Sequence, residues 1–600
     1  MKKFSKCSLA MVLSIMMVVG TLTIGVSAAA AGTGFTDVGP DSAYAEAVEA
    51  LAAAGVMNGV GGGKFAPDQE VTRAMAITVL GRMAGVEQKD TDKFSDVVSG
   101  SWYSGYVGWA EENGIVVGDG AGHYTPNQAV TFEEMGLILT RYAKVAGIAY
   151  GASDTSKETL TRGDLAKMIY SVYLLGAVKG TQTVVIEGFD WGPAVTKTII
   201  TLDTTVTADS VNAAGFAVTE TKESFNWGAL FGAGGDPTVH VTASAPLTVS
   251  KAYTCDAKGN QVSTDSNTIA LEIKYAPDVA SPYCYDVITW HNTVCDPYEL
   301  AISLTADSTL TTKDGDAVKT LAVTAAVDLS SAITPQLEDV DLSGKFTGKD
   351  GKTLLYGSFA PSNADNGEKH PLVIWVHGAG EGGLDASIPI LGNKVTALYE
   401  EEFQTVMGGA YVLAPQTPDF WLRYDEEGNW QDNPGVPSVY TETLMELIED
   451  YVAANPAIDA DRIYIGGCSN GGYMTVNMVL QYPDYFATAY PICEAYLDEG
   501  ITDEQLAGIK DLPIWFVYAE NDDTVNPETF EIPTIARLKD IGADVHTSIF
   551  PNVVDTSGLY TNEDGTPHEY MGHWSWLYFF NNECEENGVS LWNWLAEQSK

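Results

Sequence analysis

The sequence predicts a chain of three unlike parts. The last is an open α/β domain with a mostly parallel sheet and helices on both faces, and it follows an all-β sandwich and a set of α-helical repeats. Three observations carry this. From about Leu342 to Lys600, short apolar runs of strand length alternate with amphipathic helical stretches. Between 181 and 340 threonine and valine dominate, helical periodicity is lost, and alternating runs are separated by Gly, Asn and Asp. Between 33 and 178 one short pattern recurs in phase.

The first residues read as a targeting segment. Lys2, Lys3 and Lys6 precede an apolar run from Leu9 to Val26, and Ser27-Ala28-Ala29-Ala30-Ala31 offers small residues for cleavage, so 1–31 is expected to be a secretory signal peptide. Gly20, Thr21, Thr23 and Gly25 interrupt the run, which favours cleavage over a membrane anchor. Cys7 precedes the apolar run, so no lipid anchor is indicated. No later stretch is long and apolar enough to span a bilayer, and no membrane association is expected once the signal is removed. The net charge of −48 excludes nucleic acid as a partner, because its phosphates would be repelled, and fits a soluble extracellular protein.

In the repeats, Phe35-Thr-Asp-Val recurs as Phe94-Ser-Asp-Val. At the same offset Gly55, Gly59, Phe65, Pro67, Val71 and Thr72 recur as Gly114, Gly118, Tyr124, Pro126, Val130 and Thr131. Each unit has a helix before the glycines and one after the Val-Thr, apolar at Ile77, Leu80 and Met83 or at Leu137, Leu139 and Tyr142. Units this short bury little alone and must pack together. A third Thr-Arg motif, Leu160-Thr161-Arg162-Gly163-Asp164, follows the second too closely to have a front half of its own. The pattern resembles S-layer homology repeats, whose usual three copies form a cell-wall-binding module with the motif arginine at the wall-polymer groove. The resemblance assigns that role to Arg73 and Arg162, whose paired donors suit an anionic or pyruvylated glycan. The second copy, Thr131-Phe132-Glu133, lacks the arginine.

The sandwich runs include Thr196 to Leu202, Thr238 to Thr242 and Thr268 to Lys274. Trp191, Trp227 and Trp290 admit a carbohydrate-binding reading, but lone tryptophans are usually core, and spacing or packing against the next domain is the favoured role. Cys255, Cys284 and Cys295 lie here and Cys468, Cys493 and Cys584 in the next domain, so each domain keeps a free thiol unless a bridge crosses between them.

In the last domain, strand candidates are 354–359, 372–376, 410–414, 463–467, 486–490, 514–518 and 547–550. A helix from Thr441 carries one apolar stripe, Leu444, Leu447, Ile448, Tyr451 and Val452, and leads into the run Ile463-Tyr464-Ile465. There Gly467-Cys468-Ser469-Asn470-Gly471 forms a G-x-S-x-G pentapeptide between a strand and a helix, the setting of a nucleophile elbow. The elbow puts its central residue at the apex, so Cys468 is rejected as nucleophile. Upstream, the run from Pro371 to Val376 ends in His377-Gly378-Ala379-Gly380-Glu381, whose N–H groups can face an oxyanion. Downstream, the run 513–518 delivers Asp522-Asp523, and Gly572-His573-Trp574 lies near the chain end.

The order Ser, Asp, His resembles the α/β-hydrolase superfamily, on the branch of secreted esterases, feruloyl-esterase-like and prolyl-oligopeptidase-like hydrolases, over about Leu342 to Lys600. Esterases of this branch can carry an immunoglobulin-like domain ahead of the catalytic one, which 181–340 resembles. The resemblance implies Ser469 as nucleophile and His573 as base, over its rival His568. Its Asp-x-Val-x-Pro pattern implies Asp523 as the orienting acid, with Asp522 a solvated neighbour. Asn470 and Ala379 or Gly380 would supply oxyanion N–H groups, with His377 bracing that loop. The long connection from Pro415 to Trp430 either forms a substrate wall through Trp421 and Trp430, with Trp574 across from it, or packs on the sandwich. The chain is thus expected to be a secreted, wall-attached serine esterase needing no metal or organic cofactor, acting on esters linked to carbohydrate. A serine peptidase of the same fold and a non-catalytic wall-bound scaffold are the other readings.

Overall fold

The computed structural model describes residues 35–39, 41–86, 88–152, 154–230, 236, 238–277, 279–422, 435–562 and 564–600. The expected signal peptide, 1–31, and Trp430 lie outside the described residues.

The repeats comprise α1 (Ala45–Ala53), α2 (Arg73–Met83), α3 (Ser104–Glu112), α4 (Phe132–Ala146) and α5 (Arg162–Leu175). The threonine of each Val-Thr or Leu-Thr pair is the N-cap of the helix it precedes: Thr72, Thr131 and Thr161 accept from the N–H of Met75, Glu134 and Asp164. The residues just before them close a ring. Val71 donates its N–H to Leu160 O at 3.0 Å, Leu160 to Val130 O at 2.9 Å, and Val130 to Val71 O at 2.9 Å. All three side chains are fully buried at the centre of one core. The ring is therefore complete even though the third copy has no front half.

The repeated Phe-x-Asp-Val has a physical job. Asp37 accepts from the N–H of Phe65 and Ala66, and Asp96 from the N–H of Tyr124 and Thr125, all at 2.7–2.8 Å. These bonds hold Ala66 and Thr125 at φ 59° and 57°, a region costly for residues with a Cβ. The motif arginines clamp the same loops. Arg73 Nε donates to Tyr124 O at 3.0 Å and its guanidinium lies 4.8 Å from the Tyr124 ring centre. Arg162 donates to Phe65 O and Asn58 O, both at 2.8 Å, and lies 4.7 Å from the Phe65 ring. Copy one thus clamps copy two, and copy three clamps copy one. Copy two would clamp the front half that copy three lacks, which explains why Phe132 stands where an arginine would have nothing to hold.

The sandwich runs through β1 (Val178–Phe189), β2 (Gly192–Val206), β3 (Phe216–Ser224), β4 (Val241–Leu247), β5 (Val249–Thr254), β6 (Ser266–Ile273), β7 (Tyr283–Asp286), β8 (His291–Val294), β9 (Tyr298–Leu304) and β10 (Leu321–Val323). One sheet has the order β10-β1-β2-β6-β5, the other β4-β3-β9, and β7-β8 is a separate hairpin. The run 238–242 is mostly loop that leads into β4. Trp191 stacks on Phe189 and also meets Tyr560 of the last domain at 5.9 Å, a joint and not an exposed platform.

The last domain holds an eight-stranded sheet: β11 (Val340–Thr347), β12 (Thr353–Phe359), β13 (His370–Val376), β14 (Tyr411–Gln416), β15 (Ile458–Cys468), β16 (Thr488–Ile492), β17 (Ile514–Ala519) and β18 (Val545–Phe550), ordered β11-β12-β14-β13-β15-β16-β17-β18. β11 and β12 pair antiparallel and the strands from β14 onward are parallel. This is the α/β-hydrolase fold. β13, β14, β16 and β17 are buried along their whole length, as strands covered on both faces must be. Helices α6 (Thr441–Ala454), α7 (Asn470–Gln481) and α8 (Glu531–Asp540) pack on one face. The other face, with α9 (Leu591–Glu597), shares a continuous apolar core with the sandwich, from Val184 and Leu271 through Trp375 to Trp592. Asp190 and Lys394 pair across this joint at 2.8 Å. β11, a polar edge strand, was not expected from the sequence because only one residue of it, Gly344, is buried. All six cysteines of the described residues are unpaired.

Arg162→Ala should remove about 2 to 4 kcal/mol from the repeat module, since it leaves two carbonyls without their charged donor and strips a ring contact. Hydrogen exchange on the full chain should then show lost protection over 58–66. Arg73→Ala, whose second bond to Val117 O is 3.4 Å long, should cost less. Equal losses would contradict the clamp.

Candidate active site

Strand β15 ends at Cys468 and α7 begins at Asn470, so Ser469 must reverse the chain in one residue. It does so at φ 55°, ψ −115°, a strained backbone for a residue with a side chain. The flanking glycines let this happen. A Cβ on Gly467 would come within 2.1 Å of Val376 O, and one on Gly471 within 1.9 Å of the same oxygen. Ser469 is half-buried and its N–H donates to Ile492 O at 2.9 Å, which ties the elbow to the end of β16.

Asp522 and His573 form a buried pair. Asp522 Oδ2 lies 2.7 Å from His573 Nδ1, with the Asp522 side chain fully buried and that of His573 10% exposed. Asp523, expected in this place, is exposed and does not bond His573; its neighbour Asp522 does. The reason is local. Asp522 Oδ1 accepts from the N–H of Thr524 at 2.8 Å and of Val525 at 2.9 Å, a turn that draws its carboxylate inward. The following side chain then points outward. Ile492, which holds the serine N–H, precedes Cys493, whose Sγ lies within 4.8 Å of the Asp522 and His573 ligating atoms. The residue that holds the elbow and the residue beside the Asp522–His573 pair are thus consecutive at the carboxyl end of β16. His568 instead sits between Tyr560 and Tyr570, at 4.4 and 5.0 Å.

The residues expected as oxyanion donors also stand at element starts. Asn470 is the first residue of α7, and Ala379 and Gly380 open a single 3-10 turn after Gly378, so their N–H groups have no acceptor within those elements. His377 braces this loop. It is fully buried, its Nδ1 lies 2.6 Å from Gly378 O, and Thr417 N–H donates to its Nε2 at 3.2 Å. Burial pulls its pKa down to about 4, so it stays neutral.

Trp421, expected as a substrate wall, is a correction too. It is fully buried behind the loop, where its Nε1 donates to His377 O at 3.1 Å and its own N–H bonds to Asn470 Oδ1 at 2.7 Å. An indole needs an acceptor when buried, and here the acceptor is the oxyanion loop. Trp574 remains half-buried beside His573, stacked on Tyr570 at 5.5 Å. The thiol of Cys468 is buried and held well above its ordinary pKa by desolvation, so it is no nucleophile.

Two contributors have no sequence signal. Glu381 is fully buried in the oxyanion loop, and desolvation pushes its carboxyl up to about 7. The hairpin β7-β8 of the sandwich roofs that loop: a Cβ added to Gly380 would meet Asn292 Nδ2 at 3.0 Å and the Tyr285 ring at 3.7 Å, and His291 stacks on Phe420 at 4.8 Å. A long-range contact between domains cannot be read from spacing. Of the two motif arginines, Arg73 lines a cleft of about 310 Å³ with Asp119, Gln128, Glu134 and Arg141. Arg162 is buried and spends its donors on carbonyls.

Comparison with known proteins finds family models that match separate stretches of the chain. The S-layer homology domain model matches residues 34–76 and 93–135, the esterase Ig-like N-terminal domain model 181–319, and the prolyl oligopeptidase family model 442–550. The last stretch contains Ser469 and Asp522. A solved thermostable esterase superposes with a TM-score of 0.53 at 23% identity, covering 70% of this chain and 99% of that one, a likeness of fold. A cell surface protein of Thermoanaerobacter kivui is 33% identical over 177 residues, 25% of this chain and 23% of the relative. An endo-1,4-beta-xylanase A of Thermoanaerobacterium saccharolyticum is 34% identical over 105 residues, 17% of this chain and 9% of the relative. The chain spans about a quarter or less of these curated relatives. It combines S-layer homology repeats, an esterase-type Ig-like domain and a serine-hydrolase fold.

Ser469→Ala and Asp522→Asn should each lower kcat by roughly three or more orders of magnitude with unchanged melting temperature, while Asp523→Asn and Cys468→Ala stay within about threefold of wild type. A dead Asp523→Asn with an active Asp522→Asn would restore the other assignment.

Glu381 predicts a pH dependence. Its folded pKa, about 7, lies above its ordinary value of 4.5, so its contribution is intact below about pH 4.5 and is lost as pH rises through 7, a loss of about 3 kcal/mol. Glu381→Gln should flatten that part of the melting-temperature profile between pH 4.5 and 8. A parallel profile for the two proteins would refute it.

Proposed function

We propose that this chain is a cell-surface serine esterase that removes acyl groups from carbohydrate and is held at the wall by its repeats. The observation that carries the chemistry is the conjunction of Ser469 on its strained elbow with the buried Asp522–His573 bond across the end of one strand. In this reading the Ser469 hydroxyl attacks the ester carbonyl carbon while His573 Nε2 takes its proton. Asp522 keeps the Nδ1 proton in place and stabilises the imidazolium. The oxyanion is held by the N–H groups of Asn470 and of Ala379 or Gly380. Collapse expels the alcohol, which receives the proton from His573, and water repeats the cycle on the acyl-enzyme.

Esters are favoured over peptides by the neighbouring domain. A sandwich hairpin, and no bladed propeller, borders the oxyanion loop, so bulky polymer-linked esters have an approach that a propeller would deny them. The carbohydrate part draws on the relative named as a xylanase, which shares a segment of this chain. The wall part draws on the repeats and on the cleft that gathers Arg73 and Arg141, two guanidiniums suited to an anionic glycan. The localisation is extracellular, at the cell wall. The peptidase reading is kept because of the prolyl oligopeptidase match.

The test compares kcat/KM for p-nitrophenyl acetate, butyrate and feruloyl esters and for acetylated xylan with that for Xaa-Pro anilides. Esters should exceed anilides by at least about a hundredfold. Parity would move the protein to the peptidases, and failure to react with a serine-directed phosphonate would leave a scaffold. The full chain should sediment with purified sacculi, and Arg73→Ala with Arg141→Ala should weaken that without altering ester turnover.

A further inference from the structure

The carboxyl end of β16 places a thiol against the acid–base pair that the mechanism does not use. Cys493 Sγ, a carboxylate oxygen of Asp522 and a ring nitrogen of His573 all lie within 4.8 Å of one another. Cys493 is fully buried with its backbone at φ 37°, fixed by its N–H bond to Val517 O at 2.8 Å. Its surroundings are rich in buried carboxyls, of which Glu494 and Glu531 are pushed above their ordinary pKa by burial. Asp522 and Glu531 are the ionisable carboxyls acting on it. Both carboxyl oxygens of Glu531 and one of the adjacent Glu494 are buried without hydrogen-bond partners among the described residues. Asp522 has His573 as its ion-pair partner, and no ion pair of Glu494 or Glu531 occurs among the described residues. A thiolate sulfur, an imidazole nitrogen and a carboxylate oxygen converging in one buried place are the mixed donor set that soft divalent cations take.

We propose that Cys493, Asp522 and His573 form an inhibitory site for a thiophilic divalent cation of the Zn²⁺ type, and that the cation switches the hydrolase off while bound. This rests on the reading of Ser469, His573 and Asp522 as the catalytic groups. The proton balance gives the cause of inhibition. The cation binds the Cys493 thiolate, whose proton leaves to solvent, and His573 at Nδ1, whose proton moves to Nε2 so that the ring stays neutral. Nothing is oxidised or reduced. With Nε2 protonated, no lone pair faces Ser469 and its hydroxyl proton has no acceptor. The Asp522–His573 contact of 2.7 Å would open to the spacing of tetrahedral ligands, about 3.3 Å for bonds of about 2.0 Å. Access is from the side of His573 and the half-buried Ser469, and a water completes the shell. Hard cations such as Mg²⁺ and Ca²⁺, which prefer oxygen donors, should not compete.

The test titrates the full chain with Zn²⁺ during hydrolysis of its best p-nitrophenyl ester. Zn²⁺ should inhibit reversibly, with recovery on adding EDTA, and Mg²⁺ or Ca²⁺ at equal concentration should not. Cys493→Ala should keep basal turnover within about threefold and need about tenfold or more Zn²⁺ for half inhibition, since losing a ligand costs at least what losing a ligand's support does. Co²⁺ supplies a readout independent of activity: the wild type should show near-ultraviolet thiolate-to-metal absorption that Cys493→Ser lacks. Equal Zn²⁺ sensitivity of wild type and Cys493→Ala, or a Co²⁺ band that survives in Cys493→Ser, overturns the proposal. A wild type that neither hydrolyses esters nor reacts with the phosphonate overturns the catalytic reading instead, and the Co²⁺ band still decides the metal site.

Discussion

The catalytic end of this molecule depends on the approach of one strand terminus to another. Val376 O, the last carbonyl of β13, sits where a Cβ on either Gly467 or Gly471 would have to be. That contact holds the elbow against the sheet and keeps Ser469 in a backbone conformation it would leave if free. The next residue, His377, opens the oxyanion loop. Nucleophile and oxyanion donors are therefore registered to each other through a single carbonyl, and the burial of β13 along its whole length is what keeps that carbonyl still.

Around this contact buried polar groups back the loop that follows β13. Trp421 and His377 bond the loop from behind, and the Asn470 side chain accepts from Trp421, so both halves of the oxyanion site share one hydrogen-bonded backing. Buried networks of this kind rigidify when every member is satisfied. Glu381 is the exception: one of its oxygens is buried without a partner, which is why its carboxyl prefers to keep its proton.

Much of this was legible in the sequence, and the misses have physical causes. The elbow was readable because strand, glycines, serine and helix are contiguous, and the apolar runs for β13 and β17 because both faces of those strands are covered. Asp522 and Asp523 are chemically identical neighbours, and only the turn that bonds one carboxylate to Thr524 and Val525 tells them apart. Trp421 has the composition of a pocket aromatic and the position of a brace, which no local pattern distinguishes. β11 was missed because an edge strand need not be apolar. Glu381 and the hairpin over the oxyanion loop owe their roles to residues far along the chain. The half-missing third repeat, by contrast, was evident from spacing, and the clamp geometry shows why the second repeat lost its arginine with it.

The ring of backbone bonds among Val71, Val130 and Leu160 has a mechanical consequence. In a linear array of repeats, each unit is gripped only by its neighbours, and tension applied at one end peels units off in sequence. Here the first and last copies are bonded directly, so the module is a loop closed on itself. A pull on the C-terminal side is shared at once by all three copies, and no copy can leave without breaking bonds to both others. The shortened third copy keeps its place in the ring although its front half is missing. Under the proposed wall attachment, that makes the anchor a knot in function though not in topology.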